Sequence, residues 1–193
     1  NTMALLTFGV LLFACLHLIK SVAPAFRASM QNRLGENAYK GLFSLLVLAA
    51  LALVVLGWRG AVPQYIYAPP VPAQHPAMLL LVLAIGLMVV SSRPSRLRRL
   101  IRHPQLACVA LWGIAHLLLN GDSRALVLFG GMSIWAIVEI VAINRRDGVW
   151  IKDSAPPVQA DVINLLITAI VVALLIIAHP WFAGVSVTGL LQQ

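Results

Sequence analysis

Apolar residues along this chain come in long blocks separated by short polar breaks. Six blocks approach the roughly 20 residues needed to cross hydrocarbon: 3–22, 41–58, 77–91, 104–119, 125–143 and 162–178, the third and fourth being short. Gly, Pro and charge mark the breaks, notably Pro24, Pro63, Pro69, Pro70, Pro94, the Asn120-Gly121-Asp122 triplet and Pro156-Pro157. Backbone groups cannot be left unpaired in lipid, and no alternating ten-residue barrel pattern is present, so the blocks are predicted to be helices. The expected fold class is therefore all-α, a polytopic transmembrane helical bundle of about six transmembrane helices. Residues 3–188 read as a single transmembrane domain and 189–193 as a C-terminal tail. Asn1 and Thr2 before Met3 resemble a processed tag remnant.

Two connecting segments have patterns of their own. The first loop, 25–40, carries Phe26, Met30 and Leu34 at spacing four among Arg27, Arg33 and Lys40, which predicts a surface amphipathic helix. The Pro-rich second loop, 61–76, holds Tyr65 and Tyr67 close to Trp58, amphipathic aromatics expected at a headgroup boundary, and reads as an interfacial cap.

Composition agrees with the pattern: 61% of residues are hydrophobic and only 10% are charged, against about 25% charged in soluble domains. A net charge of +8 would point to nucleic acid in a soluble protein. Here twelve of the fourteen Lys and Arg residues fall in alternate loops: Lys20, Arg27, Arg33 and Lys40 around the first, Arg93, Arg96, Arg98, Arg99 and Arg102 in the third, and Arg145, Arg146 and Lys152 in the fifth. The second loop has only Arg59 and the fourth only Arg124. By the positive-inside rule this predicts a bacterial inner (plasma) membrane protein with basic loops in the cytoplasm and both termini periplasmic. Lipid bilayer is then the expected partner and nucleic acid is not. Cys15 and Cys108 lie inside apolar blocks without metal-type spacing and read as small packing residues.

Ionisable groups inside a membrane helix cost about 2.5 to 3.5 kcal/mol on insertion scales, so each is a functional candidate. His17 is flanked on both sides by apolar residues in the first block. His116 belongs to a ladder at spacing four, Cys108, Trp112, His116 and Asn120, expected along one face of the fourth helix. Two intramembrane histidines on separate helices are the minimal pattern for a bis-histidine haem b site, and equally suit hydrogen bonding between helices. Glu139 sits about one turn inside the fifth block, where an arginine of the third loop could pair with it. Arg102 and His103, at the start of the fourth helix before Pro104, could bind an anion such as a haem propionate or serve only as an interfacial basic cluster. His75 and His179 each precede a proline and read as capping or surface groups. At 1.5 Å per residue His17 lies about 21 Å below Met3, whereas His116 lies about 6 Å from Asn120, a depth difference of about 15 Å that would pair His17 with His103 instead.

Arg102-His103-Pro104-Gln105-Leu106, followed by the run from Leu111-Trp112-Gly113 through His116 to Asn120-Gly121-Asp122, strongly resembles the NnrU family. Leu16-His17-Leu18, Leu128-Phe129-Gly130-Gly131, Asn144-Arg145-Arg146-Asp147-Gly148 and His179-Pro180-Trp181-Phe182 extend the match over most of the chain. The resemblance implies a link to nitrite and nitric oxide metabolism in denitrifying bacteria. The family in turn resembles the plastid ζ-carotene isomerase, a haem b membrane enzyme. That likeness implies haem b with iron held by His17 and His116; the depth argument keeps His103 as the alternative ligand, and Trp112, Arg102 and His103 are the candidates beside the cofactor. It also implies isomerase-like or redox chemistry on a small or lipophilic substrate. A cysteine of the isomerase linked to alternative ligation corresponds to Gly113 here. Competing expectations are an S-adenosylmethionine-dependent membrane methyltransferase, a class that also carries Arg-His-Pro at a helix start, and a non-catalytic assembly factor for nitrogen-oxide reductase machinery.

Overall fold

A computed structural model describes residues 1–184, 186 and 187 of the chain; the predicted tail at 189–193 lies outside the described residues. The described residues form seven helices: α1 (Thr2–Val22), α2 (Pro24–Leu34), α3 (Glu36–Gly60), α4 (Gln74–Ser91), α5 (Pro104–Leu117), α6 (Ser123–Asp147) and α7 (Val158–Ala183). Single 3-10 turns occupy Val71–Ala73 and Arg96–Arg99. The predicted all-α polytopic class is what the chain adopts. Among the described residues five helices are long and apolar enough to cross a membrane, counting α4 with its leading turn as Val71–Ser91. The predicted fourth span, α5, is apolar but has only 14 residues, about 21 Å of helix against about 30 Å of hydrocarbon. Its apolar block continues to Leu119, but the chain tightens at the end of the helix, where Leu119 N–H donates to the His116 carbonyl at 3.1 Å.

The chain divides into two compact units. Unit 1 comprises Asn1–Ala68 and Asn120–Val149, and so contains α1, α2, α3 and α6. Without a hydrophobic drive between helices in lipid, close packing depends on small residues that let backbones approach. Gly57 lies against the backbone of Leu6, and a Cβ on Gly9 would sit 2.8 Å from the Val54 amide nitrogen. Leu6 and Ala50 are completely buried at this seam. The pairings Leu6 with Gly57 and Gly9 with Val54 make α1 and α3 antiparallel. Helix α6 runs parallel to α1, as Val10 faces Gly131, His17 faces Trp135 and Ser21 meets Glu139. Its first turn is capped by Asp122, whose Oδ1 accepts from Arg124 N at 2.8 Å and Ala125 N at 3.1 Å. A π-helical stretch follows over Leu126–Gly130, with Phe129 edge-on to Trp58.

The predicted cap over 61–76 is, within unit 1, a loop laced to residues 120–123. Ile66 and Tyr67 amides both donate to the Gly121 carbonyl, Ser123 N donates to the Gln64 carbonyl, and the Tyr67 hydroxyl donates to the Asn120 carbonyl at 3.0 Å. Gly121 is glycine because a Cβ there would strike the Tyr67 carbonyl. Burial, and then the nearby Asp122 charge, raises the Tyr67 phenol above its ordinary ionisation range.

Unit 2, Pro69–Leu119 and Trp150–Gln193, holds α4, α5 and α7 among its described residues. Ala84, Leu87 and Cys108 form its core, with Leu97, Leu111 and Trp112 packed against them. Cys108 is thus the packing residue expected, whereas Cys15 on α1 is exposed. The turn after α4 is latched to α7: Arg93 Nε donates to Asn164 Oδ1 at 2.8 Å, Asn164 Nδ2 to the Pro94 carbonyl at 2.9 Å, and Ser95 Oγ to Asp161 Oδ1 at 2.7 Å. Helix α7 also runs past its predicted end at Ala178, carrying Pro180 inside it before Gly184 stops it in the left-handed region at φ 76°.

Candidate functional site

His17 lies one and a half turns before the C-terminal end of α1, half-buried in an aromatic nest. Phe13 stacks on its ring at 4.1 Å between centroids, and Phe43 and Trp135 meet it edge-on at 5.5 Å each. Its Nδ1 lies 2.8 Å from the Phe13 carbonyl. A carbonyl can only accept, so the proton is on Nδ1, and in the neutral ring the lone pair rests on Nε2.

His116, in the last turn of α5, repeats this arrangement. Its Nδ1 lies 2.8 Å from the Trp112 carbonyl, four residues back, and the Trp112 ring is 5.1 Å away. The carbonyl again selects Nε2 as the lone-pair nitrogen. His179 of α7 is within electrostatic reach of His116, so its reading as a surface or capping group misses a neighbour of the site. Its sequence signals are its place before Pro180 and its part in the His179-Pro180-Trp181-Phe182 segment of the family resemblance. His103 is the N-cap residue of α5, followed by Pro104 at the first helical position, with Arg102 immediately before it.

Two expectations about these side chains change. The ladder Cys108, Trp112, His116, Asn120 does not reach its last rung: α5 ends at Leu117, and Asn120 belongs to unit 1, where its carbonyl accepts from Tyr67. Glu139 is buried at 5% exposure and its partner is the Ser21 hydroxyl of α1, which donates to Oε1. Arg146, two turns further along α6 and bonded to the Lys20 carbonyl at 3.0 Å, is a cation within electrostatic reach of Glu139. Glu139 Oε2 and Trp135 Nε1, both buried, have no hydrogen-bond partner among the described residues.

Each of the two histidines carries the imidazole donor type that haem iron takes. Among the described residues no three His, Cys, Asp or Glu side chains come together to hold a metal, whereas haem iron needs at most two axial protein ligands. Metal-ligating histidines generally donate their other ring N–H to a carbonyl or carboxylate, which fixes tautomer and orientation. His17 and His116 both do so. His17 is carried by unit 1 and His116, with Trp112, Arg102 and His103, by unit 2.

No curated protein and no solved structure gives a significant match to the chain. A family model does. The model described as NnrU protein matches residues 5–187, taking in both histidines, the Arg102-His103-Pro104 start of α5 and the Glu139 region. With nearly its whole length covered, this multi-pass membrane chain belongs to the NnrU family.

Proposed function

We propose that the chain is a haem b-binding inner-membrane protein serving nitrite and nitric oxide metabolism, in which His17 and His116 would hold the iron, with His103 as the alternative ligand. The observation that carries this reading is the shared Nδ1–H to carbonyl bond of the two histidines, which puts the lone pair of each neutral ring on Nε2, the nitrogen a haem ligand would use. Bound haem would supply one-electron or Lewis-acid chemistry toward a small or lipophilic substrate. The chain's own contribution is orientation. The Phe13 carbonyl and the Phe13, Phe43 and Trp135 rings hold His17, while the Trp112 carbonyl and ring hold His116. Arg102 and His103, at the positive end of the α5 dipole, supply donors suited to a propionate. Family membership supports the link to denitrification, and the alternate basic loops support periplasmic termini.

The test is an absorption spectrum of protein purified without added cofactor. A bis-histidine haem spectrum is expected, lost or converted to a five-coordinate form in His17→Ala and in His116→Ala and kept in His103→Ala. Retention of the six-coordinate form in His116→Ala with loss in His103→Ala moves the ligand to His103. Colourless wild-type protein that takes up no haem on reconstitution overturns the reading, and saturable S-adenosylmethionine binding by calorimetry would replace it with methyl transfer.

A further inference from the structure

One end of unit 1 gathers basic residues from four helices. The C-terminus of α1 brings Lys20, α2 brings Arg27 and Arg33, the start of α3 brings Lys40, and the end of α6 brings Arg145 and Arg146. The antiparallel α1 and α3, the short α2 between them and the Arg146 bond to the Lys20 carbonyl put these residues at a common end. Two exposed acids lie there among the described residues, each already engaged, Glu36 with Lys40 at 2.6 Å and Asp147 with Arg146 at 2.6 Å, while the buried Glu139 accepts from Ser21. Lys20, Arg27, Arg33 and Arg145 carry the surplus charge.

Helix α2 shapes that charge. It buries none of its residues fully. Phe26, Met30 and Leu34 form one stripe at spacing four, and Phe26 and Leu34 are 55% and 43% exposed. At 100° per residue Arg27 and Arg33 border that stripe on either side, the placement in which a guanidinium reaches headgroups while apolar neighbours enter the acyl boundary. Arg27 is steadied over the Tyr39 ring, 6.0 Å from its centroid.

We propose that this end of unit 1 is a recognition surface for anionic phospholipid headgroups, with α2 lying in the interface and Arg27 and Arg33 as its principal contacts. The surplus positive charge beside an exposed apolar stripe selects a phosphodiester that carries acyl chains. A zwitterionic lipid offers no net charge to match, and a free phosphate has nothing to place against Phe26 and Leu34.

The experiment is native mass spectrometry of the full-length protein in detergent, titrated with phosphatidylglycerol, phosphatidylcholine or inorganic phosphate. Wild type is expected to retain phosphatidylglycerol preferentially. With about 1 kcal/mol per base at a membrane surface, Arg27→Gln with Arg33→Gln should weaken that binding about thirtyfold, while Arg59→Gln at the opposite end of α3 leaves it unchanged. Should the Arg27 change disturb the Tyr39 contact and folding, Lys20→Gln with Arg33→Gln, both exposed, provides the same test. Equal retention of phosphatidylcholine, equal loss in Arg59→Gln, or displacement by millimolar inorganic phosphate would each overturn the proposal.

Discussion

His17 and His116 are alike in a way that spacing alone does not reveal. Each ring folds back on the carbonyl four residues earlier, and in each case residue i−4 is aromatic, Phe13 or Trp112. The sequence therefore held the aromatic–His pairs at helical spacing; the tautomer depends on a side-chain rotamer and becomes visible only in three dimensions. Glu139 was visible as an intramembrane acid, but its partner Ser21 lies 118 residues away and on a different helix, beyond the reach of any local pattern. Their coupling can be measured. Removing the hydroxyl in Ser21→Ala should cost about 1–3 kcal/mol in thermal or denaturant unfolding in detergent, because a buried carboxyl oxygen loses its donor. On a Glu139→Leu background the same change should cost clearly less, and additive effects would show that the hydroxyl does not serve Glu139.

At the level of helices, the apolar blocks located all the apolar helices because lipid demands continuous apolar helix, and the spacing of the first loop located α2, while the ends were set by contacts that are not local. Helix α3 starts at Glu36, five residues before its apolar block, once Gly35 at φ 83° separates it from α2. Helix α5 stops early, and Asn120 is held in unit 1 by Tyr67, 53 residues away. The π-helical stretch in α6 has no sequence signal we can name. The seam between α1 and α3 yields a sharp expectation: Gly57→Leu places a side chain where the Leu6 backbone already lies and should destabilise unit 1 by about 1–3 kcal/mol or block its folding, against little effect for Gly41→Leu, where nothing lies within 4 Å. The loop at Tyr67 adds a pH dependence. Because the folded phenol ionises above its unfolded value of about 10, the folded chain holds that proton longer, and stability falls as pH rises from about 10 through the folded value. A thermal-unfolding series across that range should show a shallower alkaline decline in Tyr67→Phe.

Across the whole molecule, alternate loops carry the charge and the helices of unit 1 alternate accordingly, α1 antiparallel to α3 and parallel to α6. Reporters fused in the 61–68 loop should be exported and reporters fused at 148–152 should stay in the cytoplasm; the reverse would invert the proposed orientation. The class of the fold was legible from hydropathy, and the family from motifs spread over most of the chain, since both depend on patterns that survive without knowledge of contacts. The short α5 ties the molecule to its solvent in a further way. Its 14 residues accompany five apolar helices of 21 to 25 among the described residues, a difference of about 10 to 16 Å in length. A bilayer relaxed around the long helices leaves the ends of α5 in hydrocarbon, whereas one thinned around α5 strains the others, so hydrophobic mismatch is built into the chain. Thermal stability in reconstituted vesicles should therefore pass through a maximum as acyl length is varied, and should fall in the thickest bilayers first.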